Sequence, residues 1–276
     1  MFSKCGKITK IDLSHFDSHD VTDMNHMFFE CFLLTNINFS NFNTRKVKSM
    51  NGMFNDCRSL VDLDLSSFNT ENVISMNAMF YECHSLKTIN LSSFNTQNVF
   101  YMSNLFFQCR SLKSINVSNY NTENVNIMGY MFGGCESLAL LDLSNFNTQK
   151  VTDMTCMFYD CISLNEIILS NFNTKNVKSM KYMFGGCSAL TEINLSNFNT
   201  QNVFDMSYMF YKCNSLTTIN ISNFITQKSI EMNNMFCGCN SLLQKTFFDN
   251  FGKTIEGIMT EFEIDLLLKK ENTKYA

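Results

Sequence analysis

The chain has 276 residues, 45% apolar and 17% charged, with a formal net charge of -4 and a pI near 5.6. That is enough apolar material for a buried core, and it leaves no basic patch for the counterion release that drives nucleic-acid affinity, so nucleic acid is not an expected partner. No run of 18 apolar residues occurs, and residues 1–10 (MFSKCGKITK) lack an apolar stretch after a charged one, so no transmembrane segment and no export signal is expected within the sequence as written.

Met1-Phe2-Ser3-Lys4-Cys5 is itself the end of a repeat unit. Ten cysteines follow one another at 26 residues, from Cys5 through Cys31, Cys57, Cys83, Cys109, Cys135, Cys161, Cys187 and Cys213 to Cys239. Between them runs C-x-x-L-x-x-I-x-L-S-x-F-N-T-x-x-V-x-x-M-x-x-M-F-x-x-C. A period of this length marks a solenoid, in which each unit buries its apolar face against its neighbours. The expectation is one elongated array of about nine coils over residues 1–242, followed by a capping segment over 243–276. Because Met1 coincides with a repeat methionine, upstream sequence carrying further coils and an export signal is expected; the alternative is a genuine start on an intracellular protein.

Within each coil the first element is Leu-x-x-Ile-x-Leu, as at Leu190, Ile193 and Leu195. Its alternation predicts a short strand with one buried face, and the fixed period makes successive strands parallel. Nine such strands, from Ile11 to Ile221, would form one continuous sheet. The Ser-x-Phe-Asn-Thr that follows, for example Ser196 to Thr200, offers side-chain acceptors that start a helical turn. Val203, Met206, Met209, Phe210 and Cys213 then fall on one face of a short helix backing the sheet, with Gly133-Gly134 and Gly185-Gly186 ending it in two copies. The fold class read from this pattern is an α/β solenoid with one short parallel strand and one short helical segment per coil. The 19 Met and 28 Phe belong to its core.

The outward strand position after the buried Ile carries Asp12, Asn38, Asp64, Asn90, Asn116, Asp142, Ile168, Asn194 and Asn220. Stacked on successive coils, these form a polar column that serves as a stabilising ladder, as a row of donors and acceptors for a ligand laid along the rod, or as both. Its neighbours Lys10, Asn36, Asp62, Thr88, Ser114, Leu140, Glu166, Glu192 and Thr218 vary, which suits a recognition face and equally describes solvent-exposed drift. The ligand-binding candidates are Asp12, Asn38, Asp64, Asn90, Asn116, Asp142, Glu166, Glu192, Asn194 and Asn220. Five Asn-x-Ser sequons in the column, at Asn38, Asn90, Asn116, Asn194 and Asn220, read as by-products of the repeat.

One thiol per coil does not match the paired spacing of structural zinc, and parallel side chains on neighbouring coils point the same way, so the cysteine column is expected to be buried free thiols. Cys156 and Cys237 lie outside it, and Cys237-Gly-Cys239 reads as a repeat substitution. His15, His19 and His26 crowd the first coil beside Asp17 and Asp20, but surface variation in an edge repeat accounts for them, and no metal or cofactor is expected. No triad, HExxH, P-loop or dinucleotide fingerprint occurs, so no catalytic residue is named. Past Leu242, Ile255, Ile258, Met259, Phe262 and Leu266 predict an amphipathic capping helix with Thr254 as N-cap.

The repeat resembles the 26-residue leucine-rich repeat of BspA-like bacterial surface proteins and mycoplasma lipoproteins, most closely over Leu190 to Cys213 (LTEINLSNFNTQNVFDMSYMFYKC), and the resemblance extends over residues 1 to about 242. Departures stand at Leu105 for Met, Tyr120 for Phe, Ile225 for Asn and Ser229 for Val. The resemblance implies a leucine-rich-repeat-like fold and a non-enzymatic surface or secreted protein with a binding or adhesion role. The expected partner is a protein or other macromolecule, a host surface component among them. An intracellular protein-protein interaction scaffold of the same fold is the alternative.

Overall fold

The computed structural model describes residues 1–225, 230–241 and 243, and over these the chain winds in successive 26-residue coils. Eight three-residue strands mark one side: β1 (Lys10–Asp12), β2 (Asn36–Asn38), β3 (Asp62–Asp64), β4 (Thr88–Asn90), β5 (Leu140–Asp142), β6 (Glu166–Ile168), β7 (Glu192–Asn194) and β8 (Thr218–Asn220). They pair in parallel at an offset of one coil, Ile11 with Ile37, Leu63 with Ile89, Leu141 with Ile167 and Ile193 with Ile219. Strand position and direction follow the sequence reading, but its continuous nine-strand sheet does not form. The strands make four separate pairs, and Ser114–Asn116 pairs with neither neighbour.

Side-chain amides explain how the coils hold together where the strand ladder lapses. At four unpaired junctions a Ser or Asn takes the backbone carbonyl that ends the preceding strand segment: Ser67 Oγ on Phe39 O (3.5 Å), and Asn119, Asn145 and Asn197 Nδ2 on Leu91, Val117 and Leu169 O (2.9–3.0 Å). At the paired junctions after β5 and β7 the equivalent Asn171 and Asn223 bond the next carbonyl instead, on Ser144 and Ser196. At the paired β3–β4 junction Ser93 Oγ takes Leu65 O (3.0 Å), so the contact accompanies the ladder there, and where the ladder lapses the Asn amide satisfies a carbonyl as a backbone N–H does.

The helical segment expected in each coil is replaced by two consecutive turns. Met27 N donates to Met24 O and Cys31 N to Phe28 O, each three residues back, and the third residue of each turn, His26 (φ 54°) and Glu30 (φ 57°), is left-handed. This is the type II pattern. The N–H groups that a helix would return four residues back reach the next coil: Met24, His26, Phe28 and Glu30 N donate to Ser49, Asn51, Met53 and Asn55 O at 2.8–2.9 Å. Apolar residues at i, i+3, i+7 and i+10 suit tandem turns as well as a helix, so the period alone misassigns the segment. The outcome is a second ladder, with parallel bridges running without a break through Asp23, Ser49, Ser75, Tyr101, Ile127, Asp153, Ser179, Asp205 and Glu231. Gly134 and Gly186 are left-handed as expected of their motifs (φ 71° and 81°), but they close turns. Ala78, Tyr130, Cys156 and Tyr182 adopt the same conformation without a glycine's freedom, at about 1 kcal/mol each, offset by the inter-coil bond that each residue's N–H makes.

Between the two faces the core is a set of columns. Phe2, Phe28, Phe54, Phe80, Phe106, Phe132, Phe158, Phe184, Phe210 and Phe236 form one stack, centroids 5.2–6.0 Å apart and planes within 18°. The Thr of each Phe-Asn-Thr is buried and bridges coils instead of starting a helix: Thr122 Oγ1 donates to Asn147 O (2.9 Å) and accepts from Asn147 N (2.9 Å). The Asn before it accepts from the backbone two residues on, as Asn147 does from Gln149 N (3.1 Å). Ile225, in place of that Asn in the final copy, is 45% exposed. In the first coil Phe2, Ile8, Ile11, Phe16 and Val21 are only partly buried. The amphipathic helix expected over Thr254–Leu266, and Ser229, lie outside the described residues.

Candidate binding surfaces

The polar column stands on the strand face as the sequence places it, and each Asx side chain is held by its own backbone. Asp12, Asn38, Asp64, Asn90, Asn116, Asp142, Asn194 and Asn220 each accept, through Oδ1, the N–H of the Ser two residues on, at 2.9–3.2 Å. This Asx turn explains why the strand ends on Asn or Asp and why Ser follows: a short acceptor there satisfies the N–H that leaves the strand. The Ser14, Ser66 and Ser144 N–H groups hold the carboxyls of Asp12, Asp64 and Asp142 below the usual range, with further support to the first two from Asn38 and Asn90 on the next coil. Glu166 and Glu192 open β6 and β7 and are exposed, beside the Asx column. The ten candidates therefore share one face, although the backbone beneath them is paired only two coils at a time.

The cysteine column is buried from Cys31 to Cys213 and half-buried at its ends, Cys5 and Cys239; Cys5, Cys31, Cys57, Cys83, Cys109, Cys135, Cys156, Cys161, Cys187 and Cys213 are free thiols. Its members are hydrogen-bond donors: Cys57 Sγ–H points to Phe28 O (3.1 Å) and Cys135 to Phe106 O (3.3 Å), spanning adjacent coils. Burial pushes Cys57, Cys83, Cys109, Cys135 and Cys187 far up, and Cys161 to about 12, so none is a ready nucleophile or metal ligand. In the first coil His19 Nδ1 meets Asp20 Oδ1 at 3.2 Å, Lys46 Nζ takes the same oxygen at 2.7 Å, and His26 packs against Phe29 on the turn face. Among the described residues no three His, Cys, Asp or Glu side chains converge as a metal site. No helix among them is long and apolar enough to cross a membrane.

A second surface went unread in the sequence. Of nine tyrosines, Tyr81, Tyr101, Tyr130, Tyr159, Tyr182, Tyr208 and Tyr211 all lie along the turn segments, on or just after the unbroken ladder. Tyr81 meets Phe107 (5.1 Å), Phe107 meets Tyr130 (5.5 Å, 81°), and Tyr182 stacks on Tyr208 (4.5 Å, 3°) with Tyr159 and Tyr211 crossing at 81–85°. Glycines make room: a Cβ at Gly133 would stand 3.1 Å from the Phe107 ring, and one at Gly185 2.9 Å from that of Tyr182. The available signal was an exchange, Tyr-Met-Phe-Gly-Gly-Cys in the units ending at Cys135 and Cys187 against Met-Phe-Tyr-x-Cys in those ending at Cys83, Cys161 and Cys213. The two tyrosine positions stand three residues apart, so a helix would also bring them to one face; the tandem turns add the contacts that join them from coil to coil.

The chain is similar to a leucine-rich repeat protein of T. pallidum (18% identity over 75% of this chain and 78% of that one, TM-score 0.43). It is also similar to a leucine-rich repeat protein from Bacteroides ovatus (17%, 86% and 67%, TM-score 0.39) and to a leucine-rich cell surface protein from Faecalibacterium prausnitzii (14%, 81% and 86%, TM-score 0.29). No curated protein matches it. The family model described as "Mycoplasma protein of unknown function, DUF285" matches residues 1–91, 61–141, 85–168 and 139–251. A repeated match that runs from residue 1 to 251 places this chain in the DUF285 family.

Proposed function

We propose that the chain is a non-enzymatic binding module that holds a protein or other macromolecular partner along its strand face, displayed at a cell surface or secreted as its resemblance to BspA-like proteins implies. The observation that carries this reading is the Asx turn under the polar column. With Oδ1 committed to the Ser N–H, the side chain of each residue is held in one orientation on the strand face at the spacing of the coils, with the Asn38 and Asn90 amides also steadying Asp12 and Asp64. A row of donors and acceptors immobilised before binding loses little side-chain entropy on contact, and the variable neighbours, Glu192 and Thr88 among them, set which partner fits.

The test is flow-cytometric binding of the labelled chain to host epithelial cells, compared with a variant carrying Asp64→Ala, Asn90→Ala and Glu192→Ala whose circular dichroism is unchanged. A fall of about ten-fold in binding, roughly 1.4 kcal/mol, supports the strand face; equal binding moves the site elsewhere on the coil. The intracellular scaffold is favoured by one observation, the column of buried free thiols, which reducing compartments preserve. The N-terminal peptide of the native protein, read by mass spectrometry, separates the two: a processed or lipid-bearing end upstream of Met1 supports display, and an acetylated Met1 or Phe2 supports the scaffold.

A further inference from the structure

We propose that the tyrosine strip on the turn face is a second binding site, distinct from the strand face, and that its ligand is a neutral, extended polysaccharide lying along the solenoid axis. Three features lead to that chemistry.

The first is the choice and place of the rings. Buried aromatic positions in these coils are filled almost wholly by Phe, whereas seven of nine tyrosines are collected on this one side. Tyr130 is 37% and Tyr101 42% exposed, and the others are partly exposed. A tyrosine offers a polarisable face together with a hydroxyl at its wet end, and has few rotamers to lose on binding. Sugars present the complementary pair: an apolar ring face whose C–H groups meet an aromatic π-face, and hydroxyls that exchange hydrogen bonds with phenols.

The second is repetition. Every unit ending at Cys83, Cys109, Cys135, Cys161, Cys187 and Cys213 contributes at least one ring, from Tyr81 to Tyr211. Successive rings stand 4.5–6.1 Å apart where they meet coil to coil. That brackets the advance of one sugar in an extended β-1,4-linked chain, so a linear glycan meets equivalent groups at equivalent intervals. Tyr182 and Tyr208 stack along the axis with their planes across it, and Tyr159 and Tyr211 stand at 81–85° to them, so these two ring planes run along the axis, where a chain laid lengthwise can follow a ring face.

The third is charge. Lys181 Nζ lies 3.5 Å from Asp205 Oδ2, and Lys212 Nζ stands over the Tyr211 ring at 5.1 Å. Beside Tyr81 and Phe107, Arg58 meets Asp56 at 2.5 Å and Glu82 at 3.3 Å, and Arg110 meets Glu136 at 3.5 Å. Charges bordering the strip are thus largely paired with one another, which fits a neutral polymer rather than an anionic glycan or an acidic membrane.

Affinity electrophoresis of the full chain tests this, in native gels containing hydroxyethylcellulose or a linear glucomannan at rising concentration. The expected result is retardation by at least one polymer, weakened ten-fold or more by Tyr159→Ala combined with Tyr211→Ala, and unchanged by the strand-face variant Asp64→Ala, Asn90→Ala, Glu192→Ala. That last control keeps this site and the strand-face reading separable. If the double variant loses its cooperative thermal transition, Tyr130→Ala alone decides, with a loss of three-fold or more expected. Free migration in both polymers, retardation equal in the tyrosine variants, or flotation with neutral phosphatidylcholine vesicles in place of glycan retention overturns the proposal.

Discussion

On the turn face the bridges run unbroken from Asp23 to Glu231, whereas on the strand face of the same coils pairing lapses after β2, on either side of Ser114–Asn116, and after β6. The face that looks regular in sequence is thus the interrupted one. Strand pairing needs three residues to align on both coils, while the tandem turns aim four N–H groups per coil along the axis whatever side chains they carry. Where the strand ladder lapses, Asn119, Asn145 and Asn197 replace it with amides. The strand face thus leans on chosen side chains and the turn face chiefly on backbone geometry, with Asn25, Asn51 and Asn77 adding Oδ1 acceptors for the N–H groups of Asn51, Asn77 and Ser103 in the early coils.

Breaking the core that both faces share has the largest expected effect. Phe132→Ala removes one ring from the middle of the stack, and a fully buried Phe costs about 3–5 kcal/mol, read as a lower urea midpoint. Thr122→Val leaves the Asn147 N–H and C=O unpaired at a buried site and is expected to cost about 1–3 kcal/mol in the same measurement. Gly186→Ala probes the turn face, where a left-handed alanine costs about 1–2 kcal/mol and its Cβ crowds Asp160; Gly133→Ala, whose φ is ordinary, tests crowding of the Phe107 ring and the Cys156 carbonyl without that backbone cost. Asn116→Ala probes the strand face, where loss of one Asx turn on the unpaired coil is expected to cost about 0.5–1 kcal/mol.

The smallest effect separates the faces by pH. Asp12, Asp64 and Asp142 have folded pKa values lowered by Ser N–H groups, so their contribution is present above the unfolded carboxylate range and is lost as pH falls through the folded values. Asp160 has a raised folded value, so it works the other way, and stability declines as pH rises through the unfolded value up to the folded one. Side-chain carboxyl shifts followed by NMR should titrate in that order, strand-face aspartates at lower pH than Asp160. A common midpoint would remove the distinction.

The sequence carried the coil length, the strand position and the buried columns because each is a residue type at a fixed interval, as Phe132, Cys135 and Leu138 are. It did not carry the turns. Left-handed residues are usually announced by glycine, and here Tyr130, Cys156 and Tyr182 hold that conformation, so the signal was absent at the positions that decide between helix and turn. The ten strand-face candidates were found because outwardness follows from alternation. Whether neighbouring strands bond was not legible, since paired and unpaired junctions carry the same residue types, Asn171 at one and Asn119 at the other. The tyrosine strip escaped because its members are scattered over three positions of the repeat, as Tyr101, Tyr130 and Tyr159 show, and no single column of the sequence carries them.

The ten-ring phenylalanine stack has a consequence for how such a rod changes length. Each ring meets an identical ring above and below, and each Thr meets the same backbone atoms one coil on. Excising one whole coil, with Phe80 for instance, would leave Phe54 facing Phe106 through the same kind of contact. Deletion or duplication of entire units thus leaves no mismatched partner in the core, whereas gain or loss of a single residue shifts every column at once. Length is a free variable of this architecture and register is not, so variants that differ by whole coils should fold while single-residue insertions within a coil should fail.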